Sequence, residues 1–525
     1  MATSKLTGKR LQYALAITGA LAWVLQGYDQ ALMNGLLALE AFQHAFPPIH
    51  NSRDHSLLQG TVVALLQVGA ALGGVMCFLV GDILGRKRTT MLAAVIVLVG
   101  TVIQASSFQT AQLIVGRLVT GVGIGSFTAT IPTWVGESTG AKERGWFVML
   151  ECCGAMFGLA FVGWVEFGFF FGSENSVSWR FPIAFQAVFP IAVLVLCCFL
   201  RESPRWLMSK DRHEAAARVL TDLAGENEDP DLIQHQARII HDSILADQQA
   251  ATKNPFARTN NRYLHRTLLA VAVSVLAKMA GSSVITFYSN IVLEQTLGYS
   301  ALNARVISNC LQTWHFLWSF VGMALIDRVG RRPLLIVCAG LMAGSLAGLA
   351  GLSSIDGNKA AAGCILIFYF ITLAVYPVGL FLTPFMYASE IAPPCVRSRV
   401  AAIASCMTWL TDFWIAETSP TAFANIGWKY YLVYVCTNIL SVAVFYCFVP
   451  ETKGRSLEEI DTIFVMTDSA WNTVRIARNL GPLIDEDLDL PSKAPVTSEH
   501  KEYIEYQKPQ ETPAKEENDV AGHGL

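Results

Sequence analysis

Charge is what this chain has little of. Asp, Glu, Lys and Arg make up 15% of its 525 residues, against about a quarter in an ordinary soluble protein. Hydrophobic residues make up 53%, with a mean hydropathy of +0.42. The few charges are clustered, leaving apolar runs of roughly twenty residues, the length that crosses a bilayer core as a helix. That pattern excludes a set of soluble domains and leaves a polytopic membrane protein. No CxxC pair occurs among the twelve cysteines. Most of them, including Cys152, Cys153, Cys197, Cys198, Cys310, Cys338 and Cys447, fall within or at the ends of apolar segments, which argues against disulfides and zinc sites. HExxH, GxSxG and His-rich patterns are missing too, so no metal, cofactor or hydrolytic chemistry is implied. A formal net charge of -3, with no single basic patch, gives no sign of nucleic-acid binding.

What is present is a regular succession of apolar runs, at 12–40, 57–80, 89–107, 111–135, 145–171 and 180–200, then at 266–291, 302–326, 333–353, 360–387, 398–420 and 428–449. The first run is too long for a signal-peptide core and many follow it, so it reads as a retained helix. These are six spans, a gap and six more, numbered 1 to 12 below. The fold class expected is an all-α membrane protein of twelve transmembrane helices in two six-helix bundles, 1–200 and 266–450. The gap, 201–265, is charged with apolar residues at helical spacing and predicts short amphipathic helices at the membrane surface. Residues 451–525 are polar, with acidic and Pro-containing stretches, and predict a tail disordered beyond its first amphipathic turns. Basic stretches (KLTGKR, GRKR, AKERG, RVGRRP, VRSR) all fall on one side of the spans, which places both termini in the cytoplasm. In the absence of a clear sorting signal, the plasma membrane is the default location.

The two halves repeat the same words. GDILGRKRTT after span 2 returns as IDRVGRRPLL after span 8, matching Asp82, Gly85 and Arg86 with Asp327, Gly330 and Arg331. WVGESTGAKERG after span 4 returns as YASEIAPPCVRSR after span 10, matching Glu137 with Glu390 and Arg144 with Arg397. RESPR after span 6 pairs with PETKG after span 12 through Glu202 and Glu451. Acids at one helix end facing arginines of another can form ion pairs that hold one side of the molecule shut. With the Gly116-Arg117 pair and the P-x-W-x-x-E-x-x-x-x-x-x-R-G run from Pro132 to Gly145, these motifs resemble the sugar porter branch of the major facilitator superfamily, over residues 10 to 465. The resemblance implies two bundles rocking about a central site that opens alternately to either side, a transporter and not an enzyme, with a monomer sufficient for transport. Its partners would be a small-molecule solute, H+ and the lipid bilayer.

An ionisable group inside a span costs about 2.5–3.5 kcal/mol on insertion scales and is functional by default. Five draw notice: Asp29, Arg117, Glu151, Lys278 and Asp412. Asp29 and Arg117 both fall in the outer half of their spans and can meet; in proton-coupled sugar porters these two positions form the coupling pair. Span 7 usually reads Q-Q-x-x-G-x-N-x-x-x-Y-Y in this family. Aligning on Gly281 and Tyr288 places Ala277, Lys278, Ser283 and Phe287 where the two Gln, the Asn and the first Tyr would be. Span 5 has Glu151 and Cys152 where a Gln is usual, span 10 has Phe385 for a Trp and span 11 has Asp412 for an Asn, while Trp409 is kept. Candidate substrate contacts are therefore Lys278, Ser282, Ser283, Tyr288, Glu151, Cys152, Phe385, Trp409 and Asp412. Three readings of Lys278 stand open: an anion-binding group, a permanent partner of Glu151 or Asp412, or a neutral amine. The glycines of span 4, Gly116, Gly121, Gly123 and Gly125, have the plainer account of letting helices approach closely.

The reading is a secondary transporter of the sugar porter type, taking up a sugar or related polyhydroxylated solute with protons. The alternatives are an acidic sugar or organic acid, export of a metabolite, or a nutrient sensor. The last would signal through its tail, which here carries no repeated signalling motif.

Overall fold

The expected spans condense into helices in the computed structural model, which describes residues 6–37, 39–49, 56–139, 144–171, 175–225, 254–259, 261–296, 298–355, 359–393, 396–455, 457–467 and 469–480, with 233, 237–238 and 240–241 between them. Among these residues there is no strand. The first half comprises span 1 (Lys9–Leu36), span 2 (Ser56–Leu84), span 3 (Arg86–Ala105), span 4 (Thr110–Ser138) and span 5 (Arg144–Phe170). Span 6 follows in two pieces, Val177–Phe185 and Val188–Phe199. The second half has span 7 as Tyr263–Lys278 and Ser282–Ile291, span 8 (Ala301–Val329) and span 9 (Arg331–Ser353). Span 10 is Lys359–Gly379 and Thr383–Ile391, followed by span 11 (Arg397–Ile426) and span 12 (Tyr430–Phe448).

Among the described residues, nine segments are long and apolar enough to cross a membrane, the last of them, Arg397–Phe448, holding spans 11 and 12 together. Spans 1 and 8 fall short for a physical reason. Each buries polar side chains along its length: Gln26, Asp29 and Gln30 in span 1, and Arg305, Asn309, Gln312 and His315 in span 8. Their polarity points inward, so the sum over the helix understates how well it suits lipid.

Spans 7 and 10, expected as continuous helices, are each broken. In span 7 the break lies at Met279–Gly281, where Gly281 has φ 92°. Only glycine takes that conformation cheaply. In span 10 the break lies between Gly379 and Thr383. Pro384 offers no N–H to the carbonyl of Leu380, and Leu380 and Phe381 both turn their N–H back to Tyr376. The glycines of span 4 do what small residues do in membranes. A β-carbon on Gly121 would lie 2.9 Å from the Gly69 backbone of span 2, and one on Gly116 would lie 2.9 Å from the Gln104 backbone of span 3.

Between the halves lie helices Pro204–Ser209 and His213–Ala224. The second buries Ala216, Val219 and Leu223 on one face. After span 12 come helices Leu457–Val465 and Thr473–Leu480. The rest of the tail, from residue 481, lies outside the described residues.

Candidate transport site

Two buried ion pairs occupy the interior. In the first, Arg117 Nη1 donates to Asp29 Oδ1 at 2.7 Å and to the Asp29 carbonyl at 3.3 Å. Both side chains are fully buried. Among the described residues the pair is held through one guanidinium nitrogen: Nε and Nη2 of Arg117, and Oδ2 of Asp29, find no hydrogen bond there. Spans 1 and 4 thus bring together the two residues whose depths matched in the sequence.

In the second, Lys278 Nζ lies 3.1 Å from Asp412 Oδ2. The same oxygen accepts from Gln30 Nε2 at 3.2 Å, and Gln30 Oε1 accepts from Gln26 Nε2 at 2.5 Å. Spans 7 and 11 are thereby tied to span 1. The Tyr376 hydroxyl faces Lys278 and Ser282, and Ser283 faces Asp412. In this structure Lys278 is paired, and its partner is Asp412. Glu151 is not the partner: no ion pair joins it to Lys278, and its carboxyl lies beside Trp23 and Gly19.

A narrow cavity of about 10 Å³ opens on this network. Trp23 and Gln26 line it from span 1, Lys278 from span 7, Tyr376 and Phe385 from span 10, and Trp409 from span 11. The breaks of spans 7 and 10 flank it, which is where discontinuous helices place binding sites in transporters. Trp409 is anchored by its Nε1, which donates to Thr128 Oγ1 at 2.9 Å. Phe385 and Trp23 meet edge to face at 5.3 Å.

Three expected contacts lie elsewhere. Glu151 and Cys152 are buried behind the cavity wall, and Cys152 Sγ is 3.7 Å from the Pro377 carbonyl. Tyr288 gives its hydroxyl to the Ala416 carbonyl at 2.6 Å. In their place stand residues that the sequence reading passed over: Trp23, Gln26, Gln30 and Tyr376. A signal existed for two of them. Gln26 and Gln30 sit four apart around Asp29, amides on one face of an apolar helix.

The repeated motifs build the same structure twice. In the first half, Arg86 forms a two-point contact with Glu137, at 3.1 and 3.0 Å, and reaches Asp82 at 3.6 Å. Ser203 donates to Glu137 at 2.6 Å. In the second, Arg331 meets Glu390 at 3.2 Å and Asp327 at 2.9 Å, and Thr452 donates to Glu390 at 2.7 Å. Glu202 accepts the backbone N–H groups of Arg86 and Lys87 at the start of span 3, as Glu451 accepts those of Arg331 and Arg332 at the start of span 9. Each is a carboxylate seated on a helix N-terminus.

These arginine pairs join the ends of different helices, span 3 to span 4 and span 9 to span 10, and each lies within one half. Three of the same acids also face the other half. Asp82 accepts from Ser398 at 2.5 Å and lies 3.7 Å from Arg399, both of span 11. Asp327 of span 8 lies against Gly145 at the start of span 5. Arg397 lies within electrostatic range of Glu137 across the halves. The side chain of Arg144 lies outside the described residues.

A family model for "Sugar (and other) transporter" matches residues 15–464. The chain belongs to this family. It is 31% identical to the sugar transporter STL1 of Saccharomyces cerevisiae, over 92% of this chain and 87% of that protein. It is 30% identical to the MFS-type transporter oryC of Aspergillus oryzae, over 87% and 86%. The fold is similar to that of the proton:xylose symporter XylE bound to 6-bromo-6-deoxy-D-glucose, with a TM-score of 0.78, 22% identity and coverage of 87% of this chain and 100% of that one. The sugar porter branch named from the motifs is therefore right, and the chain is a membrane transporter rather than an enzyme.

Proposed function

We propose that the chain is a proton-coupled importer of a neutral polyhydroxylated solute. The observation that carries the coupling is the buried Asp29–Arg117 pair, held through a single guanidinium nitrogen. Two opposite charges in a low-dielectric interior hold each other strongly, and a proton on Asp29 would release Arg117. A residue that alternates between those two partners links proton entry to the packing of spans 1 and 4. The halves, 1–200 and 266–450, would then rock about the cavity, with both termini in the cytoplasm and the plasma membrane as the location.

Neutral solute is favoured by Lys278. Its charge is already answered by Asp412, so an anionic substrate would have to displace a buried partner. A hydroxyl-rich solute can instead bond to the outer edges of the pair, to Gln26 and to Tyr376, with Trp23, Phe385 and Trp409 against its apolar faces. The second reading, an acidic sugar or organic acid, rests on the same ammonium facing the cavity.

Uptake by transporter-deficient cells should rise as external pH falls. Asp29→Asn should abolish net accumulation while leaving solute exchange. Accumulation with an unchanged pH response in that variant would sink the coupling. For substrate class, labelled uptake is competed with neutral sugars, polyols, uronates and quinate-like acids. Neutral compounds should compete, and competition by acids alone would establish the second reading.

A further inference from the structure

The segment entering span 7 is basic, and it lines an open cleft of about 420 Å³ at the end of the molecule that carries the repeated motifs. Arg258, Arg262 and His265 form one wall, and Val465 and Thr467, at the end of the Leu457–Val465 helix, form the other. The neighbouring Arg266 shows what an arginine here does when it is structural: it pairs with Asp461 and lies over the Phe464 ring at 4.4 Å. Arg258 and Arg262 do neither. Among the described residues no carboxylate pairs with them, although both border the same cleft.

The cleft is also built rather than loose. Arg262 sits in the left-handed region, at φ 52° and ψ 46°, a conformation unfavourable for a residue with a β-carbon. It is held there by the Arg262 N–H donating to the Thr259 carbonyl at 2.9 Å and the Leu264 N–H to the Ala257 carbonyl at 3.2 Å. His265 is fixed edge-on to Phe464, and among the described residues its Nδ1 has no partner. Beside these donors the surface is apolar: Phe256 is 51% exposed, and Val465 and Met466 are 39% exposed each.

We propose that this cleft binds a phosphate group, and that its source is the headgroup of an anionic lipid. Two guanidiniums and an imidazole match the several oxygens of a phosphate monoester, which arginine forks recognise in two-point fashion. Basic clusters next to membrane spans attract the headgroups of anionic lipids. The apolar rim suits the boundary of a bilayer better than free solution. Because the cleft joins the start of span 7 to the helix after span 12, a bound headgroup would brace the helix that carries Lys278.

The test uses the purified full-length chain in nanodiscs of phosphatidylcholine, with or without 5% phosphatidylinositol 4-phosphate, and in detergent with inositol 1,4,5-trisphosphate. Retention is read by native mass spectrometry, and the thermal midpoint is followed in parallel. Arg258→Gln with Arg262→Asn removes both charges, and asparagine tolerates the left-handed backbone. Arg262→Gly serves as a folding control. The anionic lipid should be retained by the wild type and raise its midpoint, with at least a fivefold loss of retention in the double variant. Equal retention by the double variant, or none by the wild type, would overturn the site. Binding of the soluble trisphosphate with no preference for the lipid would overturn the lipid source and keep the phosphate site.

Discussion

Lys278 and Asp412 illustrate how one buried charge dictates another. Removing either partner strands the other in the membrane interior, a loss of about 3–5 kcal/mol, whereas replacing both with apolar groups of similar volume is close to neutral. Lys278→Met and Asp412→Leu should therefore each depress the thermal midpoint of the purified protein, and the double variant should recover most of that loss while failing to transport. Additive losses would mean that the two are not coupled. Lys278 was legible in the sequence because it is the only charge between Arg266 and Glu294. Its partner was one of two candidates, and only packing could choose between them. The amides absent from span 7 suggested a pocket without carboxamides, yet Gln26 and Gln30 supply them from span 1. Position in a motif says which side chain is missing, not which neighbouring helix compensates.

The helices obey the same distinction. The twelve apolar runs gave the helices and their order, since span length is set by bilayer thickness. The breaks in spans 7 and 10 were not read, although Gly281, Pro377 and Pro384 marked them, because proline and glycine are common in membrane helices that stay continuous. The motif glycines show what a repeated residue can be for. Gly85 (φ 87°, ψ 175°) and Gly330 (φ 105°, ψ 168°) occupy a region almost closed to other residues. A β-carbon on either would lie 2.6 Å from the carboxylate that seats on the next helix, Glu202 or Glu451. Gly85→Ala and Gly330→Ala should each cost about 1–3 kcal/mol from backbone strain alone, and pushing the carboxylate off the helix N-terminus adds to that cost. The two falls in thermal midpoint should be alike, and a large effect in one half with none in the other would contradict the structural duplication.

At the scale of the whole molecule, the halves touch at both ends. Asp82 meets Ser398 and Arg399 where the motifs lie, while at the other end Asn34 donates to Ser289 at 3.4 Å and Thr61 to Glu417 at 3.3 Å. The interior is bridged as well, by Gln30 and Asp412. Opening either end must break that end's contacts alone, so weakening one set should tip the population toward the state in which it is broken. Cys406 offers a native reporter, because it packs at the seam of spans 2 and 11, where a β-carbon on Gly74 would lie 3.1 Å from its own. Asp82→Ala removes a partly exposed pairing, worth about 1 kcal/mol at most, or about fivefold in population. The alkylation rate of Cys406 by N-ethylmaleimide, followed by peptide mass spectrometry on the purified protein, should rise by up to that factor. Thr61→Ala, at the opposite end, should leave the rate unchanged or lower it. If both variants raise it equally, the two ends do not open alternately and the seam merely loosens.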